Sequence, residues 1–473
     1  MRYYFLGIGG IGMSALARYF HQRGDMVSGY DRTPSPLTQS LEAEGIAVHY
    51  EDNPALLPDN IDMVVYTPAV PETLLEFETL RQRGVKMEKR SQVLGELTRG
   101  KRCIAVAGSH GKTTTSSMIA YLLSLCPCGC SAFLGGISKN FNSNLRVDET
   151  SDVVVVEADE YDRSFLQLHP TYAVITATDP DHLDVYGTHE NMLEAYAQFA
   201  SQVSSEGRLF LKEGTFMLQN GHPFFEDDKE CHNHEHSHSH THSTSFNAPS
   251  YTYTAHGIEA DYYAINVRTY NGNLFFDLRT PSGVMYDLEL CGTALYNVEN
   301  AVAASAVALE CGIDQYQLRH GLRTFAGIRR RFDYHIREKE LVYIDDYAHH
   351  PQEIAATIES VRYLYPGKRV VGVFQPHLYS RTRDLADDFA RVLGTLDELV
   401  MMPIYPAREK PIAGVTSSML LRKVNGMSKY LCTPEQVLQL VPALCPDVVL
   451  TLGAGDIDRL VPRMEQVLRE QLL

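Results

Sequence analysis

Residues 107–118 read AGSHGKTTTSSM, directly after the apolar run Cys103–Ala107 and at the head of a helical pattern. A strand, a glycine-bearing turn ending in Gly-Lys-Thr and a helix are the context a phosphate-binding loop requires. The backbone from Gly108 to Lys112 would cradle phosphates, Lys112 would reach their outer oxygens, and the Thr113 hydroxyl would hold Mg²⁺. A full-length loop of this type would carry its first glycine where Val106 stands, so the loop is the shortened G-x-x-G-K-T form that begins at Gly108.

The neighbouring segments repeat the logic of strand ends. VVVVEADE, residues 153–160, is an apolar strand that delivers Glu157 and Asp159 at its C-terminal end, where ligands of open α/β sheets collect. Carboxylates there can hold Mg²⁺ directly or through water. TDPDHLDVYG places His182 after the next strand. Near the start of the chain GIGGIGMS, residues 7–14, forms a G-x-G-x-x-G turn between a strand and a helix, with Asp31 ending the second strand. Glycines 9, 10 and 12, with Ile11 among them, would let a diphosphate approach the helix N-terminus. In the last third four strands end in DDYAHHP (345–351), QPHLYSR (375–381), YPAREKP (405–411) and GAGD (453–456). Polar residues gathered at one edge of a sheet mark a site.

Apolar β-rich runs alternate with helical periodicity, which predicts an α/β fold of parallel sheets covered by helices. With 473 residues, one core is too small a unit, and three domains are expected. These are residues 1–99, 100–325 and 326–473, the first and last Rossmann-like and the central one like a P-loop ATPase. CHNHEHSHSHTH, residues 231–242, is the low-complexity tract; its polar alternation offers no apolar face, so a loop is expected. Cys126, Cys128 and Cys130 lack the usual C-x-x-C zinc spacing, and nine cysteines do not suggest a disulfide framework. A net charge of −17 argues against a nucleic-acid partner. No run reaches the roughly 18 apolar residues of a membrane span. The first strand opens at Arg2, leaving no room for a signal peptide, so a cytoplasmic protein is expected.

Taken in order, GIGGIGMS, GSHGKTTT, EADEYDRSF, DPDHLDVYG, RRF, DDYAHHPQE and YPAREKP resemble the Mur ligase family over essentially the whole chain, with details similar to its alanine-adding branch. The resemblance implies ATP-dependent ligation of L-alanine to the carboxylate of UDP-N-acetylmuramate through an acyl phosphate, in peptidoglycan precursor synthesis. The first domain would bind UDP-substrate at Gly9, Gly10, Ile11, Gly12 and Asp31. ATP would meet Gly108, Ser109, His110, Gly111, Lys112, Thr113 and Thr114. Asn297 and Asn300 would lie against adenine, Arg331 would follow the interdomain hinge, and Asp346 would contact the ribose. Thr113, Glu157 and His182 match metal ligands for two Mg²⁺ ions. His349 and Arg381 match groups of a closing domain near the incoming amino acid, and Lys112, Glu157, His182 and Arg381 would carry catalysis. No obligate protein partner is expected. Two positions depart from the pattern: Tyr296 stands where a histidine commonly precedes the first asparagine, and Leu378 replaces an arginine often seen after His377.

Two other classes compete. A nicotinamide-dependent dehydrogenase would use the first glycine turn but leaves the Gly-Lys-Thr loop unexplained. A metal-delivery GTPase would combine the phosphate loop with the histidine tract, yet its N-K-x-D guanine reader is missing, since the chain contains no Asn-Lys pair.

Overall fold

The computed structural model describes every residue except 220, 224–245, 257–259, 408 and 473. The histidine tract therefore lies outside the described residues. Strands and helices alternate as expected, and three large sheets carry the chain. No helix of the described residues is long and apolar enough to cross a membrane.

The first sheet has five parallel strands in the order Ala47–His49, Met26–Tyr30, Arg2–Leu6, Met63–Tyr66, Met87–Lys89. Its central strand is buried from Tyr3 onward, as expected of parallel strands covered on both faces. Helix Ile11–Gln22 buries Met13, Ala15, Leu16, Ala17 and Phe20, and it also buries Arg18. That guanidinium is paired: it donates to Glu44 at 2.6 Å and to Asn144 Oδ1 at 2.5 Å. Asn144 in turn donates to the Ile11 carbonyl at 2.6 Å, so a polar knot ties this helix to strand Ser143–Arg146.

The second sheet has ten strands. At its centre Pro170–Ile175, Arg102–Ala107, Val153–Glu157 and Ser131–Ser138 lie side by side and parallel. This adjacency brings the loops after Ala107, Glu157 and Ile175 to one sheet edge. Sequence periodicity missed Ser131–Ser138 and Ser143–Arg146, and also the run Tyr262–Tyr270, Asn273–Thr280, Gly283–Leu290. The first pair of that run is joined by Asn271-Gly272, both with positive φ (50° and 71°), which is the hairpin signature of such a dipeptide.

The third sheet orders Asp333–Arg337, Val342–Asp346, Val448–Leu452, Val370–Phe374, Glu398–Met401, Ser428–Leu431. The first pair is antiparallel and the others are parallel. Strand Glu398–Met401 is shorter than the expected run to Ile404, because the chain leaves the sheet ahead of Pro403. By contact density the chain divides into two compact units. One comprises Met1–Ile265, Asp277–Leu288 and Glu299–Phe325; the other comprises Asn266–Phe276, Glu289–Val298 and Ala326–Leu473.

In the first unit helix Arg90–Thr98 packs on the segment Tyr161–Gln167 through Gly95. A Cβ at Gly95 would stand 2.3 Å from the Gln167 carbonyl oxygen. Gly95→Ala gains roughly 1 kcal/mol of helix propensity, but relieving a backbone clash of this kind costs about 1–3 kcal/mol. Net destabilisation is expected, read as a lower urea midpoint at unchanged slope; a raised midpoint would mean that the two segments part without cost.

Candidate active site

Glycine makes the phosphate loop possible at two points. Gly108 has φ of 133°, and a Cβ there would stand 2.1 Å from Thr176 Oγ1; Gly111 has φ of 82°, and a Cβ there would stand 2.7 Å from Asn300 Oδ1. Thr176 Oγ1 donates to the carbonyls of Ala107 and His110, and Ser109 Oγ donates to the Asp179 carbonyl at 3.0 Å. The loop is thus clamped from the neighbouring strand end before helix Lys112–Ser124 begins. Thr113 and Thr114 are buried in its first turn. Asn300 accepts from Thr115 Oγ1 at 3.1 Å, so this asparagine sits under the loop.

Lys112 is folded back and its ammonium is buried. It donates to the Gly108 carbonyl at 2.6 Å and to Glu160 Oε1 at 2.8 Å. Burial alone would lower its pKa, yet the charges of Glu160, Glu157 and Asp159 raise it, so the ammonium is held protonated. Glu160 is one of the residues that sequence reasoning missed. It follows strand Val153–Glu157 by three residues, and its Oε1 lies 3.8 Å from His182 Nε2. Asp181 Oδ2 lies 3.6 Å from the same nitrogen. Glu160, Asp181 and His182 form a set whose ligand atoms fall within 4.8 Å of one another, the one such group among the described residues. The Cys126, Cys128, Cys130 cluster forms no such set.

A divalent cation fits this donor set. Oε2 of Glu157 and Oε2 of Glu160 are buried without a hydrogen-bond partner. Buried carboxylate oxygens of this kind call for positive charge. The Glu157 carboxylate lies against Gly135, where a Cβ would stand 2.1 Å from its oxygen. His182 has left-handed backbone at φ 51°, a strained state for a non-glycine residue that concentrates at functional sites. Of the expected metal ligands, His182 joins the three-residue set, while Glu157 and Thr113 stand at the adjoining strand and helix ends.

At the first glycine turn, Asp31 Oδ2 accepts from the Gly9 N–H at 2.8 Å and Oδ1 accepts from Thr33 N–H at 3.1 Å. Gly10 is the N-cap of helix Ile11–Gln22 and has no side-chain cap. Arg90 occupies the space over Gly12, with Nη1 2.6 Å from where a Cβ would be.

The second unit gathers another polar cluster. His349 Nδ1 lies 3.0 Å from the Tyr347 carbonyl and 3.2 Å from Glu353 Oε2. Burial would raise the Glu353 pKa, but these bonds to His349 hold it well below the usual carboxylate range. His377 packs against His349 with ring centroids 5.9 Å apart and stacks on Tyr405 at 5.7 Å. Burial, then the charges of His349 and Arg381, push its imidazole down to about 4, so it is neutral near pH 7. Arg381 Nη1 is buried without a hydrogen-bond partner. A guanidinium nitrogen in that state is suited to a carboxylate. Ser380 beside it is held by Glu409.

Asp346 is 2% exposed. Its carboxylate accepts from the N–H groups of Phe332 (3.0 Å) and Ala348 (2.8 Å) and from Tyr296 OH (3.3 Å). The tyrosine that departs from the family pattern thus serves this carboxylate. Arg330 and Phe332 have positive φ (63° and 49°), so Asp346 holds a strained backbone on both sides of Arg331. Arg331 lies over the Tyr347 ring at 5.2 Å. Asn297 starts helix Asn297–Glu310 and donates to Thr293 Oγ1 at 2.6 Å.

Three family models match the chain: "Mur ligase family, catalytic domain" over residues 2–102, "Mur ligase middle domain" over 106–308, and "Mur ligase, glutamate ligase domain" over 330–455. The UDP-N-acetylmuramate–L-alanine ligase of Parabacteroides distasonis is 49% identical, covering 99% of this chain and 97% of the relative. That of Porphyromonas gingivalis is 46% identical and covers 99% of each. Among solved structures, the UDP-N-acetylmuramate-alanine ligase of Thermotoga maritima superposes with a TM-score of 0.82 at 25% identity over 100% of both chains. A murein peptide ligase from Psychrobacter arcticus shares the fold, with a TM-score of 0.67 at 19% identity, over 99% of this chain and 98% of that one.

Two expected outcomes follow from this geometry. Removing one partner of a buried ion pair costs about 3–5 kcal/mol, so Lys112→Met and Glu160→Gln should each destabilise the chain. Combined, they should cost less than their sum by about 1–3 kcal/mol in urea unfolding; strict additivity would show that the pair does not act as a unit. Burial pushes the Asp346 carboxyl up to about 6, against the charge of Arg331. Its folded pKa then exceeds the unfolded value of about 3.9, so the stability it contributes is present below that value and is lost as pH rises through about 6. Asp346→Asn should flatten the decline of unfolding midpoint over that interval, and an unchanged profile would place the titration elsewhere.

Proposed function

This chain belongs to the Mur ligase family, and we propose that it joins L-alanine to the carboxylate of UDP-N-acetylmuramate with conversion of ATP to ADP and phosphate. The observation that carries the reading is the phosphate-loop Lys112 set among the buried carboxylates Glu157 and Glu160 at adjacent strand ends. The near full-length likeness to L-alanine ligases supports the choice of amino acid. The reaction runs in the cytoplasm on a soluble nucleotide, with no nucleic acid and no obligate protein partner.

A carboxylate does not form an amide with an amine unless an oxygen is first made a leaving group. A carboxylate oxygen of the muramyl group attacks the γ-phosphorus of ATP and ADP departs, leaving an acyl phosphate. The alanine amine then attacks the carbonyl carbon, phosphate leaves with the original carboxylate oxygen, and the amine gives up a proton. Lys112 meets the charge on the transferring phosphoryl group, and positioning with electrostatics is the main lever a protein has in this step. Glu157, Glu160 and His182, with Thr113 and Asp181, would hold two Mg²⁺ ions, which supply further charge neutralisation to the phosphates. In the first unit Gly108–Thr114 take the ATP phosphates, with Asn300 beneath the loop; in the second unit Asn297 and Arg331, whose backbone Asp346 holds, are the candidate nucleotide contacts. The uncapped turn Gly9–Gly12, shaped by Asp31, takes the UDP diphosphate. Arg381 takes the alanine carboxylate, with His349 and neutral His377 beside it.

Phosphate release should require UDP-N-acetylmuramate and L-alanine together, and ¹⁸O placed in the muramyl carboxylate should appear in the released phosphate. Lys112→Ala should lower kcat by about 10²–10³ or more. Arg381→Ala should raise KM for L-alanine about tenfold, the loss of one charge-assisted bond, with ATP binding retained. Released phosphate free of label would rule out the acyl-phosphate route.

A further inference from the structure

Helix Arg90–Thr98 begins between the first glycine turn and the loop that follows strand Val153–Glu157, and its first residue touches both. Arg90 Nη2 donates to Asp159 Oδ2 at 2.8 Å. Its Nη1 covers Gly12, the place where a side chain on that residue would have to go. Lys89, one residue earlier, donates to Asp162 Oδ2 at 2.7 Å. Asp162 and Arg163 both have left-handed backbone (φ 54° and 53°), so the helix start clamps a strained loop by its two aspartates. That loop carries Glu160, and the negative charge of Asp159 bears on both Lys112 and Glu160.

We propose that Arg90 is a positioning residue shared between the diphosphate of the muramyl nucleotide at Gly9–Gly12 and Asp159, so that filling the glycine turn strengthens Mg²⁺·ATP binding at the phosphate loop. The inference rests on the functional reading above. A guanidinium carries five donors in a fixed fork, so one group can bridge a diphosphate and a carboxylate. The pair with Asp159 is partly solvated, with side chains 19% and 37% exposed. Exposed pairs of this sort are weak, whereas a bidentate contact to phosphate is among the stronger hydrogen bonds available. A diphosphate on the turn therefore draws the guanidinium toward itself. Asp159 then loses part of its counter-charge, and the loop bearing Glu157 and Glu160 becomes more attractive to a divalent cation. Coupling of two binding sites is reciprocal, so Mg²⁺·ATP strengthens the muramyl nucleotide by the same factor.

The test is calorimetry on the full chain with UDP-N-acetylmuramate and with Mg²⁺ plus a non-hydrolysable ATP analogue, each alone and then together. The unaltered chain should show mutual tightening of about fivefold or more. Arg90→Gln should weaken the muramyl nucleotide about tenfold and bring the coupling factor to near one. Asp159→Asn should leave muramyl nucleotide affinity equal or higher while also removing the coupling. Arg90→Lys keeps the charge without the fork and should fall between, which guards against a folding defect in the glutamine variant. Coupling that persists in Arg90→Gln and Asp159→Asn overturns this inference alone, as does a loss of nucleotide affinity in Asp159→Asn equal to that in Arg90→Gln. If UDP-N-acetylmuramate fails to bind the unaltered chain both without and with Mg²⁺ and the ATP analogue, the functional reading falls and this one with it.

Discussion

The buried ion pair between Lys112 and Glu160 is the constraint on which the first unit turns. An ammonium taken out of water costs several kcal/mol unless a carboxylate meets it, and the one that meets it comes from a different strand end. Three neighbouring strands of the second sheet must therefore end at the same level, so that the loops after Ala107, Glu157 and Ile175 abut. Thr176 adds a clamp from the third of these loops, and Asn300 adds one from below. The glycines at 108 and 111 follow from the same requirement, since any side chain there would push Thr176 or Asn300 away.

This explains which parts of the site were legible in the sequence. Gly-Lys-Thr after an apolar strand could be read because the strand, the turn and the helix start are contiguous in the chain. Glu157 could be read because it is the last residue of a fully apolar strand. Glu160 could not, because its direction is set by a loop that turns through two left-handed residues, Asp162 and Arg163, neither of which is glycine. Asp181 was hidden for a similar reason, as the backbone at His182 is left-handed and its N–H holds Asp181 Oδ1 at 2.8 Å, neither of which can be read from the run of residues. The hairpin at Asn271-Gly272 carries a signal in the sequence that a reading built on alternating strands and helices does not use.

The second unit shows how a departure from a family pattern is absorbed. Tyr296 in place of a histidine retains a donor, and its hydroxyl reaches Asp346, whose other acceptor capacity holds the strained backbone around Arg331. Leu378 has positive φ (70°) at the start of helix Tyr379–Asp384. That backbone state sends the chain from strand Val370–Phe374 into the helix bearing Arg381.

A chain with net charge −17 that handles two anionic nucleotides has to solve an electrostatic problem locally. Screening limits exposed charges to about 8–10 Å at ordinary ionic strength, so most surface carboxylates do not reach either glycine loop. The charges that matter are those within the loops, and there the balance is deliberately uneven. One ammonium, Lys112, stands among Glu157, Asp159 and Glu160, and two of those carboxylates keep a buried oxygen without a partner. Such a loop repels bare triphosphate. A divalent cation on the carboxylates would cancel that excess negative charge, leaving the backbone N–H groups at the start of helix Lys112–Ser124 to attract the phosphates. The same residues that make the site hostile to free phosphate thus make its nucleotide affinity depend on metal, and the fold obtains selectivity for the metal-bound form of its anionic substrate without raising the positive charge of the protein.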